Sequence, residues 1–472
     1  MNADVDNAAR FRAAQSLWQR GDVAAAEPLL REILGASALH ADAAVLLARL
    51  LQTQGRLSAA SEVMASLFRS SPADSGLALR CVQFMRESRR HRLAAQLCDE
   101  AFAAGCGGAD LHALAGNIRR ELGDFEAGRR HLLAALDGGV NLDNWFVLAT
   151  LAGVQKYESA DHPDFARLIA HFHDPHASAR ARAATGFGLA KAYDDIGRLA
   201  DAAAVLRAAN AFAREREPWS RQTWQDWVDS RLRQHGPGQR LEHDAAFRPI
   251  FVVGLPRTGT TLVAQQLSRQ AGVVDRGELP HIPYIAARLE ASGKTHDPAA
   301  LREAADLYCR HVVQDDAPAR HYVDGNQMNF RHLNLIARLF PGARVVHCVR
   351  DRRDTALSIY SQHFAHPDCA FANDFADIAA FALGHDRIME HWKRHLDLAI
   401  QTVPYEKLVG DTKEVCEQLR NFAGIATGDG LPRRDSAITS SSMWQARQPV
   451  YRSSVGRWRA YADHLPELQA LF

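Results

Sequence analysis

Residues 254–261 read Gly-Leu-Pro-Arg-Thr-Gly-Thr-Thr, directly after the apolar run Ile250–Val253 and before a stretch with helical character, Leu262–Gln270. A glycine-bounded loop between a strand and a helix aims backbone N–H groups at an anion. The spacing is that of the nucleoside-triphosphatase loop G-x-x-x-x-G-K-[ST], with Gly254 and Gly259 in register, but Thr260 stands where that loop carries lysine. The positive charge sits inside the loop instead, at Arg257. Such a loop is poorly equipped for γ-phosphate transfer, which makes a nucleotide kinase the weaker reading, and well suited to holding a phosphate that stays in place.

The run P-R-T-G-T-T after an apolar strand resembles the 5′-phosphosulfate-binding loop of sulfotransferases, in particular the branch that contains protein-tyrosine sulfotransferases. The resemblance extends over residues 248–460. It implies 3′-phosphoadenosine 5′-phosphosulfate (PAPS) as sulfonate donor, its desulfonated form PAP as product, and transfer to an acceptor hydroxyl. By the same resemblance Arg257 pairs with the 5′-phosphate, and Thr258, Gly259, Thr260 and Thr261 complete the cradle with backbone amides and hydroxyls. Arg350, which ends a second apolar run from Ala343 to Val349, and Ser358 correspond to the clamp on the 3′-phosphate. Two turns of helix span about 10.8 Å, so these two converge only if the strand end folds back over the helix. Tyr405 in VPYEKLV matches a contact on the adenine or ribose side, and Ser442 and Arg457 match donor-binding residues of a segment that closes over the nucleotide.

Sulfonate transfer needs a base for the acceptor and a positive group for the leaving oxygen. Gly277-Glu278 matches the pair that supplies the catalytic glutamate in the tyrosine-sulfotransferase branch, and Glu278 follows Arg257 by one helix, where the chain can return to the mouth of the loop. His281 is a secondary candidate. One stretch departs from the family. Where related sequences carry D-K-x-P, this chain reads Asp324-Gly325-Asn326-Gln327, so the lysine expected at the leaving oxygen is absent. Loss of a cation so placed costs about 100- to 1000-fold in rate. Three expectations follow: Arg257, Lys294 or Arg331 supplies the charge, the enzyme is slow, or the chain is a PAP- or PAPS-binding scaffold without catalysis. The first is favoured, with Glu278 and Arg257 as the catalytic pair.

The elements that must position these residues are legible around them. In 472 residues, 47% are hydrophobic and 24% charged, which fits a soluble globular chain of two or three domains. The 56 basic and 55 acidic residues leave a formal charge of +1, which argues against a nucleic-acid partner. No apolar run has the length of a signal peptide or a membrane span, and the seven cysteines lack metal-like spacing. A cytoplasmic protein with reduced thiols, no membrane association and no metal is expected.

Residues 1–214 are rich in Ala, Leu and Arg, and carry turn glycines at Gly21, Gly55 and Gly123, a period of 34 with Arg89 where one glycine is missing. Five residues beyond each centre stand Ala26, Ala60, Ala94 and Gly128, small enough for two helices to approach closely. This resembles the tetratricopeptide repeat. The pattern fails at the next centre, Tyr157, and returns displaced at Gly197, with Ala202. The expected organisation is an all-helical repeat solenoid over 1–214, a linker over 215–247, and a P-loop-like α/β sulfotransferase domain with a parallel sheet over 248–472. The repeats are expected to recruit a peptide or protein acceptor, the alternatives being docking on the catalytic domain or self-association into a homo-oligomer.

Overall fold

The computed structural model describes residues 2–426 and 452–471, apart from 38, 217, 235, 237, 239, 242–246, 317, 318 and 365. Two compact units are present, Met1–Val140 with Asp306–Pro318, and Asn141–Ala305 with Ala319–Phe472.

The described residues of the first unit up to Val140 form successive helical hairpins: α1 (Asn2–Gln19) with α2 (Val23–Ala36), α3 (Ala41–Thr53) with α4 (Leu57–Ser70), α5 (Ser75–Glu87) with α6 (His91–Ala103), and α7 (Ala109–Leu122) with α8 (Phe125–Asp137). The period read from glycine is a period of backbone conformation. Gly21, Gly55 and Gly123 take φ of +79°, +76° and +83°, and Arg89 takes +59° at the place of the missing glycine. Repeat geometry therefore imposes the left-handed turn on an arginine, at a cost that packing of the flanking helices offsets. The small residues serve close approach. Ala26, Ala60 and Ala94 are fully buried. A Cβ on Gly128 would stand 3.3 Å from the Gly116 carbonyl oxygen. Asp315 adds a cap to this unit: its carboxylate accepts from Ser58 N and Ala59 N at 2.7 and 2.9 Å, at the start of α4, whose own N-cap residue Arg56 makes no side-chain capping bond.

The second unit begins with α9 (Leu142–Trp145), α10 (Val147–Ala152), α11 (Pro163–His173), α12 (Ala179–Asp195) and α13 (Leu199–Arg216). The repeat is interrupted at Tyr157, whose buried ring packs edge-on against Phe165 of α11 and whose hydroxyl donates to Asp164 at 3.1 Å. It resumes in the α12–α13 hairpin, with Gly197 at φ +76° and Ala202 fully buried. The compact units thus divide after Val140, not after residue 214, and the stretch 215–247 contains a helix, α14 (Arg221–Leu232), with Trp224 buried.

Five parallel strands form the sheet: β1 (Ile250–Gly254), β2 (Val273–Asp275), β3 (His321–Asp324), β4 (Arg344–Val349) and β5 (Ala399–Pro404), in the order β2-β3-β1-β4-β5. Helix α15 (Thr260–Ser268) follows β1, and α16 (His281–Ala291) and α17 (Pro298–Val313) lie between β2 and β3. A 3-10 helix (Gln327–His332) and α18 (Leu333–Leu339) lie between β3 and β4. Between β4 and β5 come α19 (Arg352–Tyr360), a second 3-10 helix (Pro367–Asn373) and α20 (Phe375–His395). Helices α21 (Tyr405–Gly410) and α22 (Thr412–Ala423) follow β5. Ile250 to Val253 are wholly buried, as a continuous apolar run in a parallel strand requires. The fold is the expected combination, an all-helical repeat region and a parallel α/β domain. Strand order reverses between β1 and β4, where an open α/β sheet opens a crevice at its carboxyl ends.

Candidate active site

The loop after β1 is built on two close approaches. Gly254 lies against β4 so tightly that a Cβ there would stand 2.5 Å from the Cys348 carbonyl oxygen. Gly259, at φ +95°, sits under the Tyr405 ring, 2.8 Å from where its Cβ would be. Between them Arg257 takes φ +71°, an uncommon conformation for a residue with a side chain and one that clusters at functional loops. Thr258 Oγ1 donates to Leu255 O at 2.7 Å and locks the turn. Thr260 and Thr261 form the first turn of α15, with Thr260 Oγ1 donating to Gln327 Oε1 at 3.3 Å.

Arg350 and Ser358 meet on Arg257. Arg257 Nε donates to Ser358 Oγ at 3.0 Å, and one terminal nitrogen of Arg350 donates to the Arg257 carbonyl at 3.1 Å. The strand end thus folds over the helix, as the convergence of these two residues demands. The other terminal nitrogen of Arg350 donates to Ser454 O at 2.6 Å, its guanidinium lies 4.6 Å from the Tyr405 ring centroid, and its Nε is buried without an acceptor among the described residues. Ser358 Oγ, accepting from Arg257, keeps its own proton to donate. Two guanidinium groups, a hydroxyl donor and an orphaned buried N–H gathered at the sheet's switch point suit a polyanion.

Glu278 lies on the facing loop, between β2 and α16. Asp324, buried at the end of β3, fixes that loop: Oδ1 accepts from Leu279 N at 3.3 Å and Asn326 N at 3.0 Å, and Oδ2 from Asn329 Nδ2 at 3.1 Å. Gly325 N donates to Gly277 O at 2.8 Å, so the backbone is held on both sides of Glu278. The Glu278 charge reaches Cys369, whose thiol is pushed up to about 12, mainly by burial. His281 opens α16. The loops after β1, β2 and β3, carrying Arg257, Glu278 and Gly325, therefore leave the same edge of the parallel sheet, joined by the Gly325–Gly277 and Thr260–Gln327 bonds.

Profile comparison places the "Sulfotransferase family" on residues 249–429 and the "Tetratricopeptide repeat" on residues 17–79. Residues 249–429 form a sulfotransferase-family domain. Relatives of this chain include an uncharacterized protein of Aquifex aeolicus, 34% identical over 46% of this chain and 31% of its own length. The protein-tyrosine sulfotransferase 1 of Danio rerio is 25% identical over 44% of this chain and 65% of its own. That of Drosophila melanogaster, a protein-tyrosine sulfotransferase, is 23% identical over 47% and 51%. The chain spans from about a third to just under two thirds of the length of these relatives.

Of the residues expected to hold the nucleotide in this sulfotransferase-family domain, Arg257, Gly259, Arg350, Ser358 and Tyr405 come together. Ser442 lies outside the described residues. Arg457 is paired with Asp194, at the end of α12. Sequence reasoning assigned no role to three carboxylates that organise the site. Besides Asp324, Asp354 is buried on α19 one turn before Ser358 and accepts from Gly456 N at 2.6 Å and Trp458 N at 2.9 Å. Glu406 accepts from Asp351 N at 2.8 Å, joining the start of α21 to that of α19. An acidic residue in a helix's first turn was the only signal for Asp354, and many surface helices carry one.

Proposed function

We propose that this chain is a sulfotransferase that moves a sulfonate group from PAPS to an acceptor hydroxyl, with a protein tyrosine as the acceptor. The observation that carries this reading is the cluster of Arg257, Ser358 and Arg350 at the switch point, opposite a loop that holds Glu278. Arg257 and the amides of residues 257–261 would take the 5′-phosphate, and Arg350 and Ser358 the 3′-phosphate. The acceptor oxygen bonds to sulfur as the bond from sulfur to the bridging oxygen breaks. The electron pair stays with the phosphate of PAP, and the acceptor proton passes to the Glu278 carboxylate. Arg257, next to the leaving phosphate, offsets its charge. The relatives named as protein-tyrosine sulfotransferases and the tetratricopeptide repeats both favour a peptide acceptor recruited by the helical region. The cytoplasm, where PAPS is available, suits this chemistry; no described helix is long and apolar enough to cross a membrane.

Calorimetric titration with PAP of the wild type and of Arg257→Ala tests the donor site. Micromolar binding is expected in the first and its loss in the second. Transfer from radiolabelled PAPS to tyrosine peptides, abolished in Glu278→Ala while PAP still binds, tests the chemistry. Glycine at position 325 favours one other reading, a PAP-binding scaffold: PAP binding without transfer to any peptide, phenol or sugar would select it.

A further inference from the structure

The segment after the described gap, residues 452–461, is held against the donor site by a chain of contacts that ends in the helical region. Ser454 O accepts from Arg350, while Gly456 N and Trp458 N both bond to the buried Asp354 on α19. The Arg353 guanidinium lies 4.6 Å from the Trp458 ring centroid. The far end of the segment is fixed by one carboxylate, Asp194 at the end of α12: Oδ2 pairs with Arg457, and Oδ1 accepts from the buried Tyr461 hydroxyl at 2.6 Å. The neighbouring helix supports the same arrangement. On α13, Asn210 Nδ2 donates to the Tyr360 carbonyl at the end of α19 at 3.0 Å, and Arg207 pairs with Glu467 and donates to His464 O at 3.2 Å.

From this geometry we infer that Asp194 is a positioning residue of the donor site, and that the α12–α13 hairpin braces that site. The inference rests on the donor reading proposed above. Asp194 touches neither phosphate-binding arginine. It acts through Arg457 and Tyr461, which hold residues 454–458 where Ser454 O fixes Arg350 and where Asp354 ties α19, and hence Ser358, to the segment. A two-point anchor of this kind, one charge-assisted and one from a buried phenol, restrains both the direction and the distance of the segment. It also gives Arg457 a protein partner, so that its part in donor binding is indirect.

The test is PAP affinity by calorimetry together with hydrogen exchange at the Gly456 and Trp458 amides, in the full chain. Asp194→Ala is expected to weaken PAP about tenfold. Both amides are expected to exchange at least about tenfold faster, with or without PAP. Asp194→Glu should recover most of both effects, and Asp194→Ala combined with Arg457→Ala should be no worse than either alone. Unchanged PAP affinity in Asp194→Ala, in a protein whose Arg350→Ala variant loses binding, would overturn the inference and leave the donor reading standing. So would a loss in Arg457→Ala far beyond that in Asp194→Ala, because Arg457 would then be touching the nucleotide itself. If the wild type does not bind PAP, the donor reading fails first and this role for Asp194 fails with it.

Discussion

Gly325 stands where the resemblance to sulfotransferases leads one to expect a lysine, and its surroundings leave room for a Cβ. Its φ lies outside the left-handed region, and a Cβ would stand 3.6 Å from the Gly277 carbonyl oxygen and 3.9 Å from Ala264 Cβ, ordinary contact distances. The other candidates for the missing charge are engaged elsewhere. The Arg331 guanidinium lies 5.3 Å from the Trp224 ring centroid, 5.4 Å from that of Phe381 and 3.9 Å from Asp368. Lys294 is exposed beyond the end of α16. On the function proposed above, this leaves Arg257, in the loop after β1, as the cation assigned to the leaving oxygen. Gly325→Lys is therefore expected to raise kcat by about 10- to 100-fold while leaving PAP affinity unchanged, since a second positioned cation acts on charge that develops only in the transition state. Single-turnover transfer to a tyrosine peptide measures it. A variant no faster than wild type would mean that Arg257 already supplies all the stabilisation available there.

At the scale of elements, one of the polar contacts that join the repeat hairpins is centred on a buried carboxylate. Glu121 on α7 accepts from Arg86 on α5 at 2.6 Å and lies 3.3 Å from His91 Nε2 on α6, so three helices meet on one carboxylate. Burial opposes its charge, but the bonds from His91 and Arg86 outweigh burial and bring its pKa from 4.5 down to about 2. A depressed folded-state value means the stabilisation is present in full above pH 4.5 and is lost as pH falls toward about 2. Glu121→Gln should cost about 2–3 kcal/mol at neutral pH, a little under the roughly 3–5 kcal/mol for a broken, fully buried pair because Arg86 is partly exposed. The deficit should shrink steadily below pH 4.5. Denaturant unfolding of wild type and variant at neutral and acidic pH reads the difference; a deficit independent of pH would assign the effect to packing.

For the whole molecule, the place where the helical region stops being separable matters most. Residues 141–214 share a compact unit with the sheet, through Asp194, Arg207 and Asn210. A chain beginning at Asn141 is expected to bind PAP as the full chain does. A chain beginning at Glu215 strips these contacts from α19 and from residues 454–467 and is expected to bind PAP poorly or to aggregate. Calorimetry and size-exclusion chromatography on the two chains decide it, and equal PAP affinity would show that the hairpin is dispensable.

Much of this was legible in order along the chain because the signals are local. The strand-loop-helix at 250–268 and the 34-residue turn period are read from short-range rules: a continuous apolar run, glycine spacing, and small residues where helices cross. Arg257, Arg350 and Ser358 could be named from motifs, and the departure at Gly325 was visible as a letter out of place. Other features depended on distance in space. Arg89 could not be recognised as a left-handed residue from its type, since the turn is imposed by the helices around it. The boundary after Val140, the helix inside the stretch 215–247, and the pairing of Asp194 with Arg457, 263 residues apart in sequence, each follow from packing between segments. Local sequence determines which backbone conformations and charges are present. Only the folded chain decides which carboxylate lies beside which arginine, because that choice depends on burying apolar surface contributed by remote segments at once.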